Sequence, residues 1–284
     1  MERYLTLKDG TRMPRLGLGT WKMGDSKALH DQELESLKAG LDSGITLIDT
    51  AELYGYGNSE RLVGQAIKGR DRHGLFLVDK VIPTNAGKDH FWQSLERSLS
   101  LLDTSYLDLY LLHWIGPVPL AETVSLMEKA KAKGLIKNWG VSNFDTPDMG
   151  RLWQVKDGDR CAVNQCLYHL GSRGVEYSLL PWQEKHHVAF MAYCPLAIGG
   201  SLREGLMSDP VVKQVAGKYG LTPAQLLLAF VLRNPDVIAI PKSSNPKHTL
   251  ENAKAFAIDI APSDWTRIDR EFPAPSSKEP LDMQ

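Results

Sequence analysis

The chain has 284 residues, 43% apolar and 24% charged, with a net charge of −1. That length suits one large domain or two small ones, and the near-neutral balance gives no argument for a nucleic-acid surface or a polyanionic partner. The longest wholly apolar run, 226–232, falls far short of the roughly 20 residues that cross a bilayer, so no membrane partner is expected. Nothing after Met1-Glu2-Arg3-Tyr4 resembles a signal-peptide apolar core, and Cys161, Cys166 and Cys194 form no Cys-x-x-Cys pair. Both features fit a reduced, cytoplasmic protein.

Taken in order, residues 5–13 read as a hairpin around an Asp9-Gly10 turn, and 16–19 as a short strand with two glycines. Asp31 opens a helix with Leu34, Leu37 and Leu41 on one face, closed by Gly44. Strand 45–48 delivers Asp49, and Tyr54 follows five residues later. Ser59 is placed to cap the next helix, which carries Leu62, Val63 and Ile67. Strand 75–79 leads to Lys80, a helix spans about 89–101, and strand 107–112 leads to His113. A helix of about 121–133, strand 136–141, a helix opened by Thr146-Pro147 and strand 161–164 come next. A helix near 174–186 and strand 188–192 precede a loop over 193–207. Helices at 209–219 and 222–233 follow, the second opened by the capping box of Thr222 and Gln225. Strand 237–240 is the last, and Asn245-Pro246 opens the final helix. Eight strands, each leading into a helix, predict the α/β class: a single (β/α)8 barrel domain over 1–284, with an N-terminal β-hairpin and a short C-terminal tail.

Barrels keep their chemistry at the C-terminal ends of their strands. Asp49, Tyr54, Lys80 and His113 sit at or just beyond three consecutive strand ends. Each alone reads most simply as a structural polar residue. Together they form a set able to hold and move a proton. The set resembles the catalytic tetrad of the aldo-keto reductases. The resemblance runs the length of the chain, through Gly19-Thr20-Trp21-Lys22, Asp49-Thr50-Ala51, His113-Trp114, Gly140-Val141-Ser142-Asn143-Phe144, Asn164-Gln165 and Ile240-Pro241-Lys242-Ser243. The run at 167–174 and the ending from Pro273 to Met283 are similar to a bacterial subgroup that reduces methylglyoxal and other small aldehydes.

The resemblance implies NADPH-dependent reduction of an aldehyde or ketoaldehyde. Hydride addition leaves charge on the carbonyl oxygen, which needs a proton donor in place. Tyr54 is expected to be that acid, Lys80 and Asp49 its tuning pair, and His113 the group that orients the carbonyl. A lysine ammonium beside a phenol is expected to lower its pKa. Lys80 and Asp49 can equally form a structural ion pair.

The resemblance further implies that Ser142, Asn143 and Gln165 bind the nicotinamide amide and that Tyr193 stacks on its ring. Gly19, Thr20, Trp21, Asp49, Pro195 and Leu196 complete that part of the cofactor site. Lys242, Ser243 and Ser244, between the last strand and a helix, form an anion site for phosphate. Glu251 and Asn252 lie toward the adenine. The family commonly has Arg where His248 stands, so NADPH is expected with NADH possible. Trp21, Tyr56 and Trp114, with Tyr54 and His113, are expected to line the substrate mouth.

Asp79 replaces the Ser or Thr usual before the lysine, and strand alternation points it away from Lys80, toward a basic partner between helices or against Lys80 itself. Gly17-Leu18-Gly19 and Gly55-Tyr56-Gly57 lack the third glycine of a dinucleotide fingerprint. No histidine has metal-ligand spacing, so no metal is expected. A small carbonyl substrate and a monomer are expected. Two rival readings are another barrel enzyme using Asp49 or His113 as a base, and a nicotinamide-binding regulatory module with little turnover.

Overall fold

The apolar runs at 76–81 and 107–112 are buried on both faces, the pattern of strands in a parallel sheet covered by helices. The computed structural model describes residues 2–283. A two-stranded antiparallel hairpin, β1 (Tyr4–Thr6) and β2 (Arg12–Pro14), comes first. Eight parallel strands follow, each beside the one before it: β3 (Gly17–Gly19), β4 (Leu47–Asp49), β5 (Phe76–Val81), β6 (Leu107–Leu112), β7 (Ile136–Ser142), β8 (Val163–Leu167), β9 (Ala189–Tyr193) and β10 (Val237–Ala239). Bridges Leu16–Ala239 and Gly19–Lys242 bring the first strand to the last and close the barrel. A Cβ on Gly19 would lie 2.6 Å from the Ile240 carbonyl oxygen, so this seam requires glycine. Arg15, 2% exposed, fastens the same seam, donating to the carbonyls of Val237 (3.1 Å) and Leu232 (2.7 Å).

The helices are α1 (His30–Asp42), α2 (Asn58–Ile67), α3 (Phe91–Leu102), α4 (Leu120–Ala132), α5 (Thr146–Trp153), α6 (Val175–His186), α7 (Ser201–Ser208), α8 (Pro210–Lys218), α9 (Pro223–Leu232), α10 (Pro246–Ala253) and α11 (Pro262–Glu271). Helix α9 is buried from Gln225 to Leu232, which explains its apolar run. Among the described residues no single helix is long and apolar enough to cross a membrane; α8 and α9, taken as a pair, are bent by 86°.

The eight-strand barrel and the hairpin match the sequence reading, but some ends differ. Ser59 is not a cap. It lies inside α2, buried, donating to Thr20 Oγ1 at 2.7 Å, while Gly57 (φ 97°) precedes the helix. Asp145, not Thr146, caps α5, in a reciprocal box with Asp148. The loop after β9 contains α7.

The barrel interior has two levels. Its lower part is apolar: Leu47, Val78, Leu109, Met191 and Ile238 pack with Leu7 and Met13 of the hairpin. The hairpin thus plugs the lower end, and each such buried Leu or Met adds about 1.5–3 kcal/mol. The upper part is polar and open.

Candidate active site

Strand β4 runs one residue and β5 two residues past the ends read from the sequence, so Asp49 and Lys80 stand within them, facing inward. Lys80 is fully buried. Its Nζ donates to Asp49 Oδ1 (2.7 Å), to the Thr50 carbonyl (2.8 Å) and to the Tyr54 hydroxyl (3.3 Å). Gln165 Nε2 donates to the other Asp49 oxygen at 2.7 Å. His113 lies edge-on to Tyr54, with ring centroids 5.7 Å apart. Asp49, Tyr54, Lys80 and His113 are therefore one cluster.

Burial disfavours the Lys80 charge, but Asp49 and Tyr54 outweigh it and hold the ammonium above its usual pKa. Burial also raises Asp49, opposed by Lys80 and Gln165. At 2.7 Å the two form an ion pair. Tyr54 goes against expectation. Burial pushes its phenol up to about 12, and Lys80 offsets only part of that rise. The ring is half-buried and borders the cavity. Tyr54 is thus protonated at neutral pH, the state a proton donor needs. Burial, then Lys80, pushes His113 down to about 2, so its ring is neutral. Its buried Nδ1 has no hydrogen-bond partner.

These residues border a cavity of about 720 Å³ at the open end of the barrel. On one side Ser142 donates to the Gln165 carbonyl (2.8 Å), Asn143 Nδ2 to the His113 carbonyl (3.1 Å) and Tyr193 OH to Asn143 Oδ1 (2.8 Å). Gly19, Thr20, Trp21, Pro195 and Leu196 line it, as does Lys242. Ser243, Ser244, His248, Glu251 and Asn252 do not line the cavity. They continue away from it along the loop after β10 and along α10, where His248 is exposed. Asn245 caps α10 by accepting from the Lys247 N–H.

Trp21 and Trp114 line the mouth as expected, but Tyr56 does not. Gly55, Tyr56 and Gly57 all have positive φ, and the turn throws the Tyr56 ring outward to 85% exposure. Leu53 takes its place. The sequence reading also missed Cys194, Arg203 and Met283 on the wall. Lys22 was signalled by its place in Gly19-Thr20-Trp21-Lys22. Glu52 was missed too. Its carboxylate accepts from Ile82 N (2.7 Å) and from the Ser94 hydroxyl, tying the Tyr54 loop to the end of β5.

Asp79 points out of the barrel, as alternation requires, but it meets no base. It faces Glu60 of α2, and both carboxyls are fully buried. Asp79 Oδ1 accepts the Lys80 N–H at 2.8 Å. Asp79 Oδ2, both Glu60 oxygens, Ser98 Oγ and Tyr110 OH are without partners. Burial, then Glu60, holds Asp79 well above the usual carboxylate range, and burial raises Glu60 as well. Two carboxylates cannot bond each other, whereas a carboxyl and a carboxylate can. With both values raised, the buried pair favours carrying a proton over carrying two charges.

The Aldo/keto reductase family model matches residues 15–271. The chain is 45% identical over 282 residues to the Escherichia coli methylglyoxal reductase YeaE, covering 99% of each. It is 32% identical over 263 residues to the Escherichia coli methylglyoxal reductase DkgB, covering 90% of this chain and 92% of that one. A Klebsiella pneumoniae aldo/keto reductase solved with NADP and acetate superposes with a TM-score of 0.97, at 48% identity and full coverage of both chains. Strand order, the cluster at the strand ends and these matches agree: the chain belongs to the aldo/keto reductase family.

Proposed function

We propose that this protein is an NADPH-dependent reductase of small aldehydes and ketoaldehydes, methylglyoxal among them. The observation that carries the reading is Lys80 Nζ reaching both Asp49 and the Tyr54 hydroxyl beneath an open cavity. The residues present fit the cofactor. Ser142, Asn143 and Gln165 offer amide-binding groups beside Asp49, and Tyr193 offers a ring. The loop from Lys242 to Ser244 offers a cation and hydroxyls to phosphate, beside the positive N-terminal end of α10. Names of relatives support the substrate and cofactor: methylglyoxal reductases, and Klebsiella pneumoniae enzymes solved with NADP and NADPH.

When bound, the nicotinamide would supply the hydride for the carbonyl carbon. Tyr54 OH gives its proton to the carbonyl oxygen, and Lys80 beside it stabilises the phenolate left behind. Asp49 keeps the ammonium charged and aimed. Neutral His113 orients the carbonyl without carrying charge. Trp21, Leu53 and Trp114 give an apolar wall for the rest of the substrate. In this reading the chain acts as a single-domain, cytoplasmic monomer with no metal.

The test is NADPH absorbance with methylglyoxal and aromatic aldehydes, for wild type and Tyr54→Phe. The variant should lose about 10²–10⁴-fold in kcat. Undiminished turnover sinks Tyr54 as the acid, and binding of NADPH without turnover by wild type moves the protein to the regulatory-module reading.

A further inference from the structure

The first turn of α1 carries Glu33, a carboxylate only 1% exposed. Its Oε2 accepts the Gly24 backbone N–H at 2.9 Å. Its Oε1 accepts the Ser244 hydroxyl at 3.0 Å. Ser244 Oγ in turn accepts from Lys242 Nζ at 2.6 Å, and Gln32 Nε2 donates to the Ser244 carbonyl at 2.8 Å. A relay of cation, hydroxyl and buried carboxylate therefore runs from the rim of the cavity into the first turn of α1.

A serine hydroxyl has one proton to give. Here Ser244 gives it to Glu33. We propose that Glu33 is a specificity-determining residue that holds back NADPH relative to NADH, by claiming the Ser244 proton and by placing a buried negative charge one hydroxyl away from the 2′-phosphate. The inference rests on the reading above, which puts the adenosine end of the cofactor along Lys242 to Asn252.

The two cofactors meet this relay differently. The 2′-hydroxyl of NADH brings its own proton and can donate to Ser244, leaving the Ser244–Glu33 bond in place. A 2′-phosphate dianion brings no proton. It must either take the one Ser244 gives to Glu33, stranding a buried carboxylate, or do without it. Lys242 and the start of α10 pull toward phosphate, and Glu33 opposes them. His248, exposed on α10, adds less than a guanidinium would. Glu33 and Lys242 also feel each other: burial draws the Lys242 pKa down, while Glu33 pushes it back up.

Glu33→Gln isolates the effect. The new amide can still accept from Gly24 through its oxygen, and its NH₂ can donate to Ser244 Oγ, freeing the serine proton for phosphate. Titration calorimetry of the purified protein with NADP+ and with NAD+ reads the result without turnover. NADP+ should bind on the order of tenfold tighter and NAD+ within about twofold of wild type. Equal shifts for both nucleotides, or none, overturn the inference. Should Glu33→Gln not fold, Glu33→Met removes the charge at similar length, and the same selective tightening is expected. Lys242→Met serves as the control for placement. If it weakens NADP+ selectively while the Glu33 variants leave the ratio unmoved, only the Glu33 inference falls. If it leaves NADP+ unmoved, the cofactor placement falls and the Glu33 inference with it.

Discussion

Asp49 and Asp79 are both fully buried acids within bonding distance of Lys80, yet they live in opposite worlds. Asp49 lies inside the barrel, receives the Lys80 ammonium and Gln165, and carries a charge that is answered. Asp79 lies outside it, touches only the Lys80 backbone, and faces a second acid. One step along β5 separates the two environments, because successive side chains point to opposite faces. Burial alone therefore says little about an acid. What fixes its charge is whether the facing element carries a cation, and here α2 carries Glu60 where the inner face carries Lys80.

The inner pair can be broken most severely. Lys80→Met leaves Asp49 buried and unanswered, a change that costs about 3–5 kcal/mol. It should also abolish measurable reduction, since Tyr54 loses its neighbour. Urea unfolding and NADPH absorbance read the two effects. Adding Asp49→Asn should recover most of the stability and none of the rate; recovery of both would remove Lys80 from the chemistry.

The outer pair should respond in the other direction. Asp79→Asn should stabilise the protein by about 1–2 kcal/mol at neutral pH, because it relieves a charge conflict and keeps an acceptor for the Lys80 N–H. The gain has a definite pH sign. Asp79 binds its proton more tightly folded than unfolded. Its contribution to stability is present below the ordinary carboxylate range and is lost as pH rises from there through its raised value. The advantage of Asp79→Asn, measured by denaturant melts at pH 5, 7 and 9, should therefore grow with pH. A constant difference would contradict the raised value of Asp79. Glu60→Gln should show a weaker version of the same trend.

The smallest effect is a flatness. With His113 pushed down to about 2, the inner set gains no charge from it between pH 5 and 8. A break near pH 6.5 in kcat that disappears in His113→Asn would show that His113 titrates during turnover.

How far these environments could be read from the chain differs in the same way. Asp49, Lys80 and His113 follow from local periodicity, since each ends an apolar run and barrel strands deliver their ends to one face. Alternation gave Asp79 its direction, but its partner lies 19 positions earlier on α2, and nothing local marks Glu60 as that partner. Tyr56 failed for a backbone reason: counting on from Tyr54 ignores three left-handed residues that turn the ring outward. Ser59 failed because a buried bond to Thr20, on another loop, outcompeted a local cap. Arg203 and Met283 reach the cavity from segments whose path no periodicity fixes.

The Arg15 seam bears on how the molecule is assembled in time. The strands that bring Asp49, Lys80 and His113 together are neighbours in the chain and can pair as they emerge from the ribosome. The seam joins residues 222 positions apart, between Arg15 and Val237, and it cannot form until nearly the whole chain is made. Gly19 and Lys242 meet across that same seam. In the proposed reading, the end of the site at Asp49, Lys80 and His113 is thus built early and the Lys242 end last. A nucleotide gripping Lys242 would favour the closed ring, so cofactor supply and the survival of newly made protein become linked.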